Sequence, residues 1–325
     1  MGLYTLIGAI TNALDVEMAN DESIVVFGED VGKEGGVFRA TEGLQAKYGE
    51  ERVFDSILAE SSITGTAVGM AMNGLKPIPE IQFSGFMFPG FNHIASHMAR
   101  MRNRTRGRFT MPIVVRMPYS GGIRALECHS ESLETQFASL PGLKLVIPSN
   151  PYDAKGLLIA AIRDPDPVIF MEPKRIYRAG KQEIPEEAYT VEIGKAKVAK
   201  EGSDMTVVAW GATFKDTEKA VKMLEEKGYD IELIDLRTIQ PWDKETVMNS
   251  VKKTGRFAVV HEAVKSFGPG AEMIASVNEE AFLYLEAPPT RVTGSDIIIP
   301  LCKGEHHHLP DPKYIAYQLE KVLTY

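Results

Sequence analysis

A chain of 325 residues is long enough for two domains with a sizeable core, and its apolar (44%) and charged (25%) fractions are those of an ordinary globular protein. A net charge of −8 argues against a dedicated nucleic-acid binder, and no run approaches the ~20 apolar residues of a membrane span. Two cysteines, Cys128 and Cys302, are too few and too far apart for a disulfide framework, so the simplest setting is a reducing cytoplasm.

The opening residues carry Asp15 and Glu17 and no basic leader, so they read as an amphipathic helix over 3–20, with Leu6, Ile10, Ala13, Leu14 and Met18 near helical spacing, rather than as a signal peptide. SIVVFGED (23–30) is a short buried strand, followed by a loop with Gly32, Gly35 and Gly36, a helical piece around Thr41–Tyr48 and the strand-like RVFDS. The stretch Asp55–Gly74 then delivers one carboxylate, Glu60, to the mouth of a helix rich in small residues. Ile63, Ala67, Met70, Ala71 and Gly74 share one face of it. Gly65 and Gly69 cost such a helix roughly 1 kcal/mol each, which predicts another backbone, from across a subunit boundary, packed very close.

PIPEIQF (77–83) is a further strand, and the aromatic SGFMFPGF leads into a helix from Asn92 to Arg104. Arg100, Arg102, Arg104, Arg106 and Arg108 cluster at its end. They fit a helix C-terminus or a surface for an acidic partner, with an RNA patch as the alternative. MPIVVRMP (111–118) is a strand leading into the long loop SGGIRALECHS, and LKLVIPS (143–149) is another. Asn150 as N-cap, Pro151 in the first turn and Asp153 open a helix that runs to Arg163 and is stopped by Pro165 and Pro167, before the strand VIFME. Strand–helix–strand repetition of this kind is the grammar of a parallel α/β sheet. The charged, Pro- and Gly-bearing stretch after it divides the chain into an α/β domain over 1–185, a linker region over 186–200 and a second α/β domain over 201–325. The second domain has strands at MTVVAW, DIELIDL and RFAVVHEA. Its helices fall at Thr213–Lys227, Asp243–Lys253, about 270–283 and Pro312–Leu323.

Familiar chemical motifs are missing: there is no G-x-G-x-x-G after a strand, no P-loop, no H-E-x-x-H and no G-x-S-x-G. His306-His307-His308 invites a metal reading, but three consecutive side chains do not converge readily on one ion. Cys128-His129 invites a thiol–imidazole pair, but adjacent residues usually point apart. Glu60 and His129 stand out because both follow strands, where open α/β sheets bind ligands.

The blocks GEDVGKEGGVFRATEGLQAKYGEERVFDSILAE, PIPEIQFSGFMFPGFNHI, ECHSES, PSNPYDAKGLLIAAIRDPDPVIF and IELIDLRTIQPWD, in that order from about residue 4 to 323, resemble the beta subunit of thiamine-diphosphate-dependent 2-oxo acid dehydrogenases. The resemblance implies a transketolase-like α/β fold: a thiamine-diphosphate pyrimidine-binding domain, then a transketolase C-terminal domain. It implies an enzyme that decarboxylates a 2-oxo acid and reductively acylates the lipoyl group of an acyltransferase component. On it, Glu60 is the carboxylate that hydrogen-bonds the aminopyrimidine, for which it needs a largely dry pocket where it can hold or share a proton. Phe86 matches the stacking aromatic, Leu58 and Gln82 its neighbours, and His129 the histidine on the substrate side. Ala161, Ile162, Asp164 and Asp166 stand where some relatives bind a structural potassium ion, with Asp166 in place of Asn.

Two departures accompany the match: Ser84-Gly85 where the family often reads Ala-Asp, and His129-Ser130-Glu131 where it reads His-Ser-Gln. The Gly-Asp-Gly…Asn signature that anchors Mg²⁺ and diphosphate is absent. The resemblance therefore implies a cofactor shared with an alpha subunit that brings Mg²⁺, in an α2β2 heterotetramer. The His-Ser-Glu-Ser segment leans towards a branched-chain 2-oxo acid. Pyruvate and acetoin dehydrogenase subunits are the alternatives, and a non-catalytic assembly module is a more distant one.

Overall fold

The computed structural model describes residues 1–325. Its centre is a seven-stranded sheet in the order Thr238–Gln240, Lys144–Val146, Val168–Pro173, Val114–Tyr119, Lys76–Glu80, Ile24–Gly28 and Val53–Asp55. The six strands from the first half of the chain run parallel, and their apolar residues are buried, as a sheet covered on both faces requires. Helices Leu6–Asn20 and Pro151–Arg163 pack together on one face. The second of these starts as expected: Asn150 accepts from the Asp153 amide at 2.9 Å, and Pro151 supplies the fixed φ of the first turn.

The second half builds a five-stranded sheet ordered Thr290–Gly294, Phe257–Val264, Met205–Ala209, Ile231–Asp235 and Lys197–Lys200, parallel except for the last strand. Helices Gly211–Glu225, Lys244–Thr254, Pro269–Ala281 and Pro312–Leu323 flank it. One apolar cluster joins the two sheets, running from Phe27, Ile81 and Met117 to Trp210, Ile234 and Val259. Between the sheets, Thr238–Gln240 leaves the second half and pairs antiparallel with Lys144–Val146 at the edge of the first. No helix is long and apolar enough to cross a membrane.

Two expectations are corrected here, and a third is left to a partner. The helix after Glu60 ends at Met72, so Gly74, at φ 91, lies beyond it and not on its buried face. The close backbone expected at its glycines is not supplied by this chain, where Gly65 faces the His93 ring at 3.3 Å and Gly69 has open space beside it, so that contact is left to a second subunit. The Asn92–Arg104 helix runs as Phe91–His93 and Ala99–Arg104, with one wide π-type turn, Ile94–Met98, between them.

Buried charge ties the central strands together. Arg116 is fully buried and grips Glu172 with two hydrogen bonds, at 2.7 and 3.1 Å, and Glu80 with a third at 2.9 Å. Tyr177 donates to the second Glu172 oxygen at 2.6 Å, which completes the carboxylate's partners. Glu80, Arg116 and Glu172 sit on three neighbouring strands, and the site lies just past the C-terminal ends of two of these strands and of the next two in the sheet.

Candidate active site

The C-terminal ends of four adjacent parallel strands assemble the site, each passing directly into a loop or turn that carries a functional side chain. Strand Ile24–Gly28 leads to Glu29 and Asp30, and Val53–Asp55 leads through exposed Ile57 and Leu58 to Glu60. Strand Lys76–Glu80 leads to Gln82 and the aromatic turn holding Phe83 and Phe86; Val114–Tyr119 leads to the loop holding His129.

Glu60 opens its helix, with Ala59 as N-cap, so its carboxylate stands at the positive end of the helix dipole. The Glu60 carbonyl accepts from Thr64 Oγ1 at 2.8 Å, while the carboxylate meets no lysine or arginine of this chain. Behind it, Glu29 is 9% exposed and its Oε1 has no hydrogen-bond partner. Burial, with the charges of Glu60 and Asp30 adding to it, pushes the Glu29 carboxyl up. Gln82 donates to Asp30 Oδ2 at 3.4 Å, which brings it to the same rim.

His129 ends a 3₁₀ turn, Glu127–His129, and its ring is wedged edge-on between Phe83 (centroids 4.5 Å apart) and Phe86 (4.9 Å). Its Nδ1 is buried without a partner. The two sequence departures meet at this point. Ser84 Oγ donates to the Glu131 carbonyl at 3.0 Å, and a Cβ on Gly85 would lie 2.8 Å from Glu131 Oε2 and closer still to the Cys128 carbonyl oxygen. Glycine at 85 is therefore what lets the histidine loop lie down on the aromatic turn. Burial first, and then the Glu127 charge, push the Glu131 carboxyl up.

The structure thus brings Glu60, Gln82, Phe86 and His129 to one edge of one sheet. Leu58 joins them only as an apolar side chain 83% exposed to solvent. The dry pocket expected around Glu60 is not complete within this chain, since Glu60 is half-buried with exposed Ile57 and Leu58 before it. Glu29, Asp30 and Phe83 join the site without being expected in it, whereas Glu131 belongs to one of the two departures from the family pattern. The signal for Glu29 and Asp30 was the one that marks Glu60, a carboxylate immediately past a buried strand.

The residues expected around a structural potassium ion lie apart from this site, at the C-terminal end of helix Pro151–Arg163. The Ala161 carbonyl accepts from the Asp164 amide at 3.2 Å. Asp164 is paired with Lys144 at 2.5 Å and Asp166 with Arg102 at 2.6 Å, so the chain's own cations already neutralise both carboxylates. Ile162 is buried in the core beneath them. Both carboxylates and the Ala161 carbonyl thus have partners within the chain. No cluster of three or more His, Cys, Asp or Glu residues suited to a metal forms anywhere, His306–His308 included.

Comparison with known proteins agrees with this fold. The transketolase pyrimidine-binding domain family matches residues 4–180, and the transketolase C-terminal domain family matches residues 194–315. The pyruvate dehydrogenase E1 component subunit beta of Acholeplasma laidlawii is 65% identical over 322 residues, which cover 99% of this chain and 98% of that one. The Bacillus subtilis (strain 168) subunit of the same name is 50% identical over 325 residues, the whole of both chains. Among solved structures, a split-gene transketolase, an inactive beta4 tetramer, superposes with a TM-score of 0.81 over 99% of each chain; at 22% identity it establishes the two-domain α/β fold. The branched-chain preference expected from His-Ser-Glu-Ser finds no support here, because these relatives carry the name pyruvate dehydrogenase.

Proposed function

Because the chain belongs to the family of pyruvate dehydrogenase E1 beta subunits, built from transketolase pyrimidine-binding and C-terminal domains, we propose that it is the beta subunit of a pyruvate-decarboxylating dehydrogenase. It shares thiamine diphosphate with an alpha subunit and passes the acyl group to a lipoyl-bearing acyltransferase. The observation that carries the reading is the convergence of Glu60, Gln82, Phe86 and His129 at one sheet edge, on a chain with no diphosphate anchor of its own.

The residues present fit the pyrimidine end of the cofactor. An unpaired carboxylate, a half-buried aromatic ring and the orphaned Glu29 oxygen face a rim of exposed apolar side chains that a second subunit would cover. When bound, thiamine diphosphate supplies the nucleophilic carbon and the electron sink for decarboxylation. Glu60 holds or releases a proton at its carboxylate against the pyrimidine ring nitrogen, and Phe86 offers the ring a flat face. Leu58 and Gln82 close the rim, and Leu58 does so once a partner covers it. His129, its ring fixed between Phe83 and Phe86, stands on the substrate side to exchange protons with substrate and lipoyl sulfur. Mg²⁺ and the diphosphate fall to the alpha subunit in an α2β2 assembly.

Calorimetry with thiamine diphosphate and Mg²⁺ tests the division of labour: binding is expected only after this chain is mixed with its alpha partner. In the reconstituted enzyme, Glu60→Gln is expected to lower kcat on pyruvate about 10²- to 10⁴-fold while the assembly forms normally. Undiminished turnover in that variant would overturn the cofactor assignment. A higher kcat/KM on 3-methyl-2-oxobutanoate than on pyruvate would overturn the substrate assignment.

A further inference from the structure

The loop that carries His129 is held from the other domain. Its backbone enters through three residues in the left-handed region, Ser120 (φ 79), Gly122 (φ 96) and Arg124 (φ 59). Left-handed φ at serine and arginine is disfavoured and persists only where the surroundings over-determine it. Here the surroundings are two carboxylates of the C-terminal domain. Glu305 accepts the Gly122 amide at 2.7 Å through Oε1 and the Arg124 amide at 2.8 Å through Oε2. Glu262 Oε1 accepts the Gly121 amide at 2.8 Å and, from the far foot of the loop, the Ser132 hydroxyl at 2.6 Å.

Both carboxylates are nearly fully buried, at 4% exposure for Glu262 and 3% for Glu305. Charge-assisted bonds in such surroundings are the strong ones. Amides from successive residues form a nest for anions, and this one is filled by side chains of the second domain. Lys174 donates to the Ser120 carbonyl, and Arg175, itself paired with Asp216 at 2.5 Å, lies against Gly122 and 3.5 Å from Glu262. Across the loop, Ser120 donates its amide to the Glu131 carbonyl at 3.2 Å, so the segment between the two feet is closed. His129 has no hydrogen bond through Nδ1, and the aromatic rings it touches are those of Phe83 and Phe86.

We propose that Glu262 and Glu305 are positioning residues for the reaction, and that the C-terminal domain contributes to catalysis by clamping the Ser120–Ser132 backbone so that His129 is held against the aromatic turn. The inference rests on the role proposed above for His129. It accounts for buried carboxylates aimed at backbone amides of another domain, where a purely cohesive contact would need only apolar side chains.

The test is a double-mutant cycle in the reconstituted enzyme, comparing Glu305→Ala, His129→Ala and the pair, with thiamine diphosphate affinity measured alongside kcat. Glu305→Ala is expected to lower kcat about 10- to 100-fold, with cofactor affinity and pyruvate KM within about twofold of wild type. The double variant is expected to be no slower than His129→Ala alone. Amide hydrogen exchange should quicken in the 120–132 segment and nowhere else. Glu305→Gln, which keeps one acceptor oxygen, should recover part of the rate and serves if the alanine variant does not fold. Unchanged kcat in the Glu305 variants, a double variant slower by the product of the two effects, or a parallel loss of cofactor affinity overturns the clamp alone. Wild-type kcat in His129→Ala overturns the histidine's role and the clamp with it.

Discussion

Glu134 shows how a single carboxyl at the domain boundary sets a pH dependence. It is fully buried, and its Oε1 accepts from the Trp210 indole of the second domain at 3.3 Å, while Oε2 has no partner. Burial, with the Glu262 charge adding to it, pushes its carboxyl from an ordinary 4.5 to about 7. A carboxyl raised in the folded state contributes stability that is fully present below the ordinary value and is lost as pH rises through the raised one. Glu134→Gln keeps an acceptor for Trp210 and removes the titration. It is expected to match wild type near pH 4.5 and to be more stable by up to about 3 kcal/mol at pH 8 in chemical denaturation. An equal difference at both pH values would show that the ionised carboxyl is accommodated at no cost. At this same scale Glu60 and His129 are visible locally, as a carboxylate and a histidine just past apolar strands, while Phe86 is marked only by the family resemblance. The sequence was silent on how Ser84, Gly85 and Glu131 fit together. Their contact joins positions 47 residues apart, and only the folded loop reveals that the two departures belong to one packing solution.

The strands that deliver those side chains depend on an ion network that sequence pattern could not predict. Arg116, Glu80 and Glu172 sit inside runs that otherwise read as continuous apolar strands, and nothing local says that three neighbouring strands place them together. Replacing Arg116 by Met would leave two buried carboxylates without their cation. The expected loss is about 3–5 kcal/mol by urea denaturation. Replacing all three by apolar residues of similar volume is expected to recover most of it, since isolated buried charge and not lost attraction dominates the penalty. A single-variant loss under about 1 kcal/mol would mean that water reaches the network. Helices were the more legible elements: Pro151–Arg163 and Pro312–Leu323 were placed to the residue because Asn150, Pro151 and Pro312 are short-range signals. Strands Gly2–Tyr4, Thr238–Gln240 and Thr290–Gly294 went unread. Each is three to five residues long and exists because of a distant pairing partner, such as Lys144–Val146 for Thr238–Gln240.

For the molecule as a whole, the question is what covers the surface beside Glu60. Ile57 and Leu58 are 70% and 83% exposed in this chain, and Phe88 is half exposed nearby. The helix that follows presents Ser61, Ser62, Thr66, Gly69 and Met72 to solvent. Glycine in an exposed helical position with open space beside it serves no purpose within the chain. There, alanine would raise helix stability by about 0.5–1 kcal/mol. If the alpha subunit covers this face, its backbone approaches the same position, and an added methyl would force that backbone away. The two effects have opposite signs, so one substitution separates them. Gly69→Ala is expected to raise the melting temperature of the isolated chain by about 1 °C and to weaken assembly with the alpha subunit by about 1–3 kcal/mol. Sedimentation of the mixed subunits reads the second effect, and thiamine diphosphate affinity should fall with it, because the pocket around Glu60 closes only on contact. A stabilised chain that assembles and binds cofactor as wild type does would place the subunit contact on another face. The exposed apolar rim at Ile57 and Leu58 would then have to be covered by the substrate-side partner.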